Sequence, residues 1–142
     1  MGKRIDRHSI IRSIIRQEDI RTQRDLVDAL ARRSYECTQA TVSRDITEIG
    51  LVKSAQGYYV LPEDMQLKRM VGELVNGMEV VQNFLCIHTP PGIASSVTAA
   101  LDAAHIEGIV GSLAGDDTIF VMTRSEKDAQ AIKRLIHHLQ QQ

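Results

Sequence analysis

Apolar residues in the amino-terminal third of the chain recur with the spacing of amphipathic helices. Pairs of Ile four residues apart predict a first helix over residues 6–16. A second helix begins at Thr22, where Asp25 three residues later completes a capping box. A third helix runs from a Thr38 cap to Gly50, a typical helix end. Three short helices are therefore expected here.

Strand patterns and a polar break follow the third helix. Residues 51–54 and 58–61 flank a short turn and predict a two-stranded hairpin. Three helices followed by a hairpin are the element order of a winged helix-turn-helix domain. Pro62 then marks a boundary, and a helical stretch begins near Met65. We predict a first domain over residues 1–61, a linker over 62–68 and a second domain over 69–142.

The second domain alternates between strand and helix patterns. The predicted elements are a strand over 80–88, a helix over 93–104, strands over 109–114 and 118–123, and a last helix that opens with a capping box at Ser125. The order β-α-β-β-α indicates a small α/β sandwich with helices against one face of the sheet. The fold class of the whole chain is therefore α+β.

Composition narrows the class of protein. The chain has 142 residues, of which 43% are hydrophobic, 25% charged and only 4% aromatic, with no Trp. The core must be aliphatic, and stacking platforms for single-stranded nucleic acid are not expected. No apolar run is long enough for a membrane span, and the amino terminus lacks the pattern of a signal peptide. We expect a cytoplasmic protein without a membrane partner, with Cys37 and Cys86 reduced.

Charge is distributed unequally between the two halves. Residues 1–61 carry 11 Lys and Arg against 8 Asp and Glu, whereas residues 62–142 carry 6 against 10. The formal net charge of −1 conceals this asymmetry. A positive first half and an acidic second half suggest that the first meets a polyanion and the second has a different role.

The third helix is the first candidate for chemistry. Its apolar stripe leaves Arg44 on the opposite face, with short polar side chains around it. Arg44 can donate two hydrogen bonds to guanine and Gln39 can pair with adenine, while the hydroxyls of Thr41 and Ser43 can bind phosphates. A solvated helix face is the alternative reading. The helix order, the hairpin and the positive charge together favour DNA binding.

The second candidate is the turn Gly115-Asp116-Asp117. Gly and Asp are common in turns, so the motif alone is weak. Adjacent carboxylates nevertheless need solvent or a partner, and we expect Asp102 to approach them, which would favour a cationic ligand. The turn at 90–92 precedes a helix and can offer backbone amides to a carboxylate. No set of residues at ligand spacing completes a metal site, and no phosphate-binding loop, dinucleotide motif or nucleophile elbow occurs, so an enzyme is not expected.

Two segments resemble the bacterial arginine repressor family. They are residues 38–46, TQATVSRDI, and residues 111–121, GSLAGDDTIFV. The resemblance covers nearly the whole chain. It implies an arginine-responsive transcriptional regulator of arginine metabolism, with L-arginine as corepressor. It further implies a carboxy-terminal domain that forms trimers and hexamers, with arginine at the interface between trimers. The winged domains would bind palindromic operator DNA.

The same resemblance assigns residues to roles. It places DNA recognition at Gln39, Thr41, Ser43 and Arg44, and arginine binding at Asp102, Asp116 and Asp117 with Ala114 beside them. One ligand position departs from the family pattern, because Ser95 stands where many members have Gln. A shorter side chain reaches less far. Two alternatives remain: the same architecture with another amino acid as effector, and a ligand-dependent module whose first half binds protein.

Overall fold

The structure is a computed structural model that describes residues 2–141 and the side chains of residues 6–141. The chain divides into two compact units, Met1–Pro62 and Glu63–Gln142. Each unit has a hydrophobic core of its own, built almost entirely from Ile, Leu, Val and Ala. No helix among the described residues is long and apolar enough to cross a membrane.

The first unit consists of three helices and a hairpin, as the sequence predicts. Its elements are α1 (Gly2–Gln17), α2 (Gln23–Arg32), α3 (Gln39–Ile49), β1 (Val52–Lys53) and β2 (Tyr59–Val60). The strands pair antiparallel. The fully buried side chains in its core include Ile11, Ile14, Leu26, Leu30, Val42 and Leu61. Because all three helices and the end of the hairpin contribute, the core fixes α3 against its neighbours.

The predicted caps are present at the start of α2 and at both ends of α3. The Thr22 hydroxyl accepts from the amide of Asp25, and the Asp25 carboxylate accepts from the amide of Thr22, which completes the capping box. Thr38 accepts from the amide of Thr41 at 3.2 Å. Gly50 ends α3 with φ of +82°, a left-handed conformation that glycine adopts without strain. These local interactions set where α3 begins and ends.

The second unit is a four-stranded antiparallel sheet with helices on one side. Its elements are α4 (Pro62–Leu74), β3 (Gly77–Val81), β4 (Phe84–His88), α5 (Ala94–Ala103), β5 (Ile109–Ala114), β6 (Thr118–Thr123) and α6 (Glu126–Gln141). The strand order is β3-β4-β6-β5. Helices α5 and α6 contact the sheet, and the Asp128 amide donates to the Ser125 hydroxyl at the start of α6. The fold class α+β is confirmed.

The single strand expected over residues 80–88 is wrong. The segment contains two strands, β3 and β4, joined at Gln82 and Asn83, so the unit has the order β-β-α-β-β-α after α4. Gln82 adopts φ of +55°, and the Asn83 side-chain amide donates to the Thr123 carbonyl at 3.1 Å. The turn has neither Gly nor Pro, and it depends on a partner 40 residues away. The local pattern therefore gave no sign of it.

Residues 62–68, expected as a linker, are helical. They form the first turns of α4, and Leu67 is fully buried in the core of the second unit. Val71, one turn later, is fully buried in the same core. The spacing of four residues between these two side chains explains why the segment continues as a helix from Pro62.

One face of the sheet is packed and the other is open. Leu85, Ile87, Ile119 and Val121 point into the core and are fully buried. The alternate residues lie on the opposite side, which we call the open face. Its large apolar side chains and their exposed fractions are Val81 (56%), Phe84 (41%), Leu113 (72%), Phe120 (55%) and Met122 (44%). Monomeric proteins rarely expose an apolar patch of this kind.

Candidate nucleic-acid and ligand sites

Helix α3 exposes the residues that the sequence singled out. Val42 is fully buried in the core of the first unit, and this orientation leaves Gln39 and Arg44 exposed, with Thr41 and Ser43 half-buried at the flanks. The Arg44 side chain forms no hydrogen bond or ion pair with any residue that the structure describes. Its guanidinium therefore keeps its donors available for an acceptor outside the unit.

The other polar side chains on this face are already bonded to each other. Gln23, at the start of α2, accepts from the Gln39 side-chain amide and donates to the Ser43 hydroxyl, both at 3.4 Å. The hydroxyls of Thr38 and Thr41 lie 3.0 Å apart. The sequence reasoning missed Gln23. Its position directly after the Thr22 cap, with an amide side chain, was the available signal.

A buried carboxylate on the inner side of α3 was also missed. Asp45 is only 1% exposed and binds two residues of α1. The Arg7 guanidinium donates from Nε to Oδ2 at 2.5 Å and from Nη2 to Oδ1 at 2.9 Å, and His8 Nε2 lies 2.9 Å from Oδ1. Burial raises the pKa of Asp45, but the hydrogen bonds and charges of Arg7 and His8 outweigh it, and the net pKa lies below the ordinary value.

Two cations hold the hairpin of the first unit. The Lys53 ammonium donates to the Arg21 carbonyl at 2.6 Å and lies 5.0 Å from the centre of the Tyr59 ring. The Arg21 guanidinium donates to the Gln56 carbonyl at 2.9 Å and lies over the Tyr58 ring. The hairpin is thus fixed to the segment before α2, and the positive charges of Lys53 and Arg21 are at the surface.

In the second unit, the turn Gly115-Asp116-Asp117 packs against the segment before α5. The Asp116 carbonyl accepts from the amides of Gly92 and Ala94 at 3.0 and 3.3 Å, and the Asp117 carbonyl accepts from Thr89 at 2.8 Å. The expectation that the turn at 90–92 offers free amides to a carboxylate is therefore wrong for these two donors. The backbone of the acidic turn uses them.

The carboxylates of this turn remain at the surface. Asp116 and Asp117 are exposed, and the Asp117 carboxylate accepts from the Thr118 hydroxyl at 3.0 Å. Ser95 is exposed in the first turn of α5, one residue after Ala94. Ala114 is half-buried and packs against the core. These residues lie at one end of α5 and form a small acidic surface.

Asp102 lies near the other end of α5. It lies eight positions after Ala94, which corresponds to about 12 Å along a helix. Its carboxylate accepts from the Ser112 hydroxyl at 2.6 Å, and it lines an open groove of about 290 Å³ together with His105 and Val110. The expected approach of Asp102 to the acidic turn therefore does not occur within one copy of the chain. Spacing along the sequence does not indicate which end of α5 packs on the turn, and so the sequence could not predict this separation.

Comparison with known protein families gives two matches. The family model described as the arginine repressor DNA-binding domain matches residues 2–67. The model described as the arginine repressor C-terminal domain matches residues 71–138. Together they cover both units and nearly all of the chain.

Similar proteins are found in several bacteria. A Thermus thermophilus protein named arginine repressor is 44% identical over 144 residues, covering 94% of this chain and 88% of that protein. A Koribacter versatilis protein of the same name is 39% identical, covering 96% and 97% of the two chains. One from Halothermothrix orenii is 40% identical, covering 91% and 94%. The similarity therefore extends over most of the length of these relatives.

Proposed function

Since the chain belongs to the arginine repressor family of DNA-binding transcriptional repressors, and not to a family of enzymes, we propose that it represses genes of arginine metabolism with L-arginine as corepressor. The family assignment confirms the resemblance of the two motifs. The proposed mechanism has three parts, namely operator recognition, assembly and arginine binding. We propose that the chain acts in the cytoplasm.

Operator recognition is assigned to α3. The observation that carries it is the exposed Arg44 on a helix whose opposite face is buried. Arg44 and Gln39 face the bases, whereas Thr41 and Ser43 bind phosphates after exchanging their present hydrogen bonds for contacts with DNA. The excess of Lys and Arg in residues 1–61 supplies the attraction to phosphate that is independent of sequence.

Assembly is assigned to the second unit. The apolar side chains of the open face support an interface between copies of this chain, because burying them removes apolar surface from water. We propose a trimer formed through this unit and a hexamer of two trimers. Several winged domains on one particle then engage the paired half-sites of a palindromic operator together, which raises their combined affinity.

Arginine binding is assigned to the acidic turn at one end of α5 and to Asp102 near the other end. Asp116 and Asp117 offer carboxylates to the positive groups of the ligand, with Ser95 and Ala114 beside them. Asp102 lies about 12 Å along α5 from this end, so we propose that one arginine contacts Asp102 of one copy and the acidic turn of another. A ligand that bridges copies strengthens assembly, and by linkage assembly strengthens ligand binding.

The experiment that tests recognition compares Arg44→Ala with wild type. We expect the variant to lose about 1–3 kcal/mol of binding to a duplex that the wild-type chain selects from a randomised pool, measured by fluorescence anisotropy with excess arginine. Arg134→Ala is the matched control, because Arg134 is exposed on α6 and the substitution changes the net charge equally. Equal affinity of Arg44→Ala and wild type would remove α3 from the interface.

A second measurement addresses the alternatives. Titration calorimetry against a panel of amino acids identifies the effector directly. Tighter binding of another amino acid than of arginine would contradict the corepressor assignment while leaving the architecture in place. Failure of the wild-type chain to select any duplex would favour a first unit that binds protein.

A further inference from the structure

The ion pair between α1 and α3 joins the recognition helix to the rest of its unit through a buried charge. Asp45 directly follows Arg44 in α3, so the two side chains point about 100° apart around the helix axis. Asp45 is almost completely buried, and Arg7 binds it through two hydrogen bonds that fix the plane of its carboxylate.

His8 extends the same cluster to a second carboxylate. Its Nε2 lies 2.9 Å from Asp45 Oδ1 and 3.4 Å from Glu48 Oε2. These three ligand atoms lie within 4.8 Å of one another, a spacing compatible with a metal ion. However, the Arg7 guanidinium is already the cation bound to Asp45 and would repel a metal at this position. The cluster is therefore a hydrogen-bonded network within the protein, built around the Arg7–Asp45 ion pair.

Stability alone does not explain such a network. Replacing a buried ion pair by apolar side chains of similar volume is often neutral or stabilising. The rest of the inner side of α3, formed by Val42 and Ile46, packs by apolar contact, which has no preferred direction. The bidentate pair is directional, and so it defines the rotation of α3 about its own axis.

That rotation determines where Arg44 points. The outer radius of a helix with its side chains is about 5–6 Å, so a turn of about 20° displaces an outer group by about 2 Å. A shift of this size breaks a bidentate contact with a base, whose hydrogen bonds tolerate only a few tenths of an ångström. An apolar packing surface that permits small rotations would therefore preserve the fold but not the base contact.

From this geometry, and on the proposed role of α3 as the recognition helix, we propose that Arg7 is a positioning residue for operator recognition. It acts through Asp45, holding α3 in the rotation at which Arg44 meets the base edges. Arg7 itself touches no DNA in this arrangement, since its guanidinium is bound to the buried carboxylate.

The test replaces the ion pair by an apolar pair, with Arg7→Met and Asp45→Leu in the same full-length chain. Arg7→Lys is a second variant that keeps the charge but loses the bidentate fork. Urea unfolding gives the stability of each variant. Anisotropy with excess arginine gives its affinity for the selected duplex and for a scrambled duplex of equal length and composition.

We expect the double variant to unfold at a urea concentration close to that of wild type and to bind the scrambled duplex equally well. Its preference for the selected duplex should fall roughly 5- to 150-fold, the range expected for one bidentate base contact. Arg7→Lys should lose part of the preference. Both changes should leave the salt dependence of binding to the scrambled duplex unchanged.

Two results would overturn the inference while the proposed role of α3 stands. One is a double variant that retains the wild-type preference while Arg44→Ala loses it. The other is an equal loss on both duplexes with a reduced salt slope, which identifies Arg7 as a direct phosphate contact. If Arg44→Ala itself retains the preference, α3 is not the recognition helix, and the inference about Arg7 fails together with the proposed function. The behaviour of Arg44→Ala therefore distinguishes a failure of the proposed function from a failure of the inference alone.

Discussion

Phe120 lies on the open face of the sheet, and Phe120→Lys should disrupt association between copies of the chain. Its ring is 55% exposed in one copy and faces Leu113 on the neighbouring strand. In the proposed assembly this surface is covered by another copy. Lys at this position places a charge where the partner brings apolar side chains, and an unpaired buried charge is strongly unfavourable.

The size of the effect follows from the exposed area. A Phe side chain buries about 150–250 Å². With 55% of Phe120 exposed, about 80–140 Å² remains to be covered. At about 25 cal/mol per Å², this area contributes about 2–3.5 kcal/mol per copy to association, before the cost of burying the ammonium. A trimer loses that amount at each of its three copies, and we therefore expect the variant to be monomeric at micromolar concentration.

Sedimentation velocity measures the outcome, first on the wild-type chain and then on the variant. Val52→Lys is the matched control, because Val52 is 43% exposed but belongs to β1 of the first unit and not to the sheet of the second. We expect the control to sediment like wild type. Thermal unfolding of Phe120→Lys at low concentration should match that of the dissociated wild-type chain. If Phe120→Lys sediments like wild type, the open face is not the interface.

Four further outcomes are expected. Asp117→Asn should weaken arginine binding by about 1.5–3 kcal/mol in calorimetry, as expected for a lost hydrogen bond to a charged group, while sedimentation of the ligand-free protein stays unchanged. Arginine should bind markedly tighter than citrulline, which lacks the charge, and equal affinity for citrulline would contradict a guanidinium site. Ser95→Gln should tighten arginine binding or leave it unchanged. Because the pKa of Asp45 is lowered in the folded state, its contribution to stability is complete well above the unfolded pKa of about 3.9 and is lost as pH falls through the lower folded value. Asp45→Asn should therefore flatten the dependence of urea unfolding on pH below about 4, and an unchanged slope would contradict this assignment.

The helices of the first unit could be predicted from sequence because their signals are local. Thr22, Thr38 and Gly50 each act within four residues, and the structure contains all three caps. The exposed position of Arg44 likewise follows from helical spacing alone. The buried role of Asp45 could not be predicted in the same way, because its partners Arg7 and His8 lie 38 and 37 residues earlier.

In the second unit, too, local features could be predicted from the sequence, whereas contacts between distant residues could not. Its two later strands, β5 and β6, have the predicted bounds because a polar turn separates two apolar runs. The turn at Gln82 escaped prediction because the residue that secures it, Thr123, is distant in sequence. The position of Asp102 relative to the acidic turn is a matter of packing, since sequence order does not say which end of a helix meets a given loop.

In the proposed assembly, the separation of Asp102 from the acidic turn has a physiological consequence. A site completed by two copies exists only in the assembled particle, so the occupied fraction depends on the amount of protein as well as on the amount of arginine. A cell that makes more of this chain would therefore respond at a lower arginine concentration. Expression level becomes a means of setting the threshold of the response, without any change in the residues that contact the ligand.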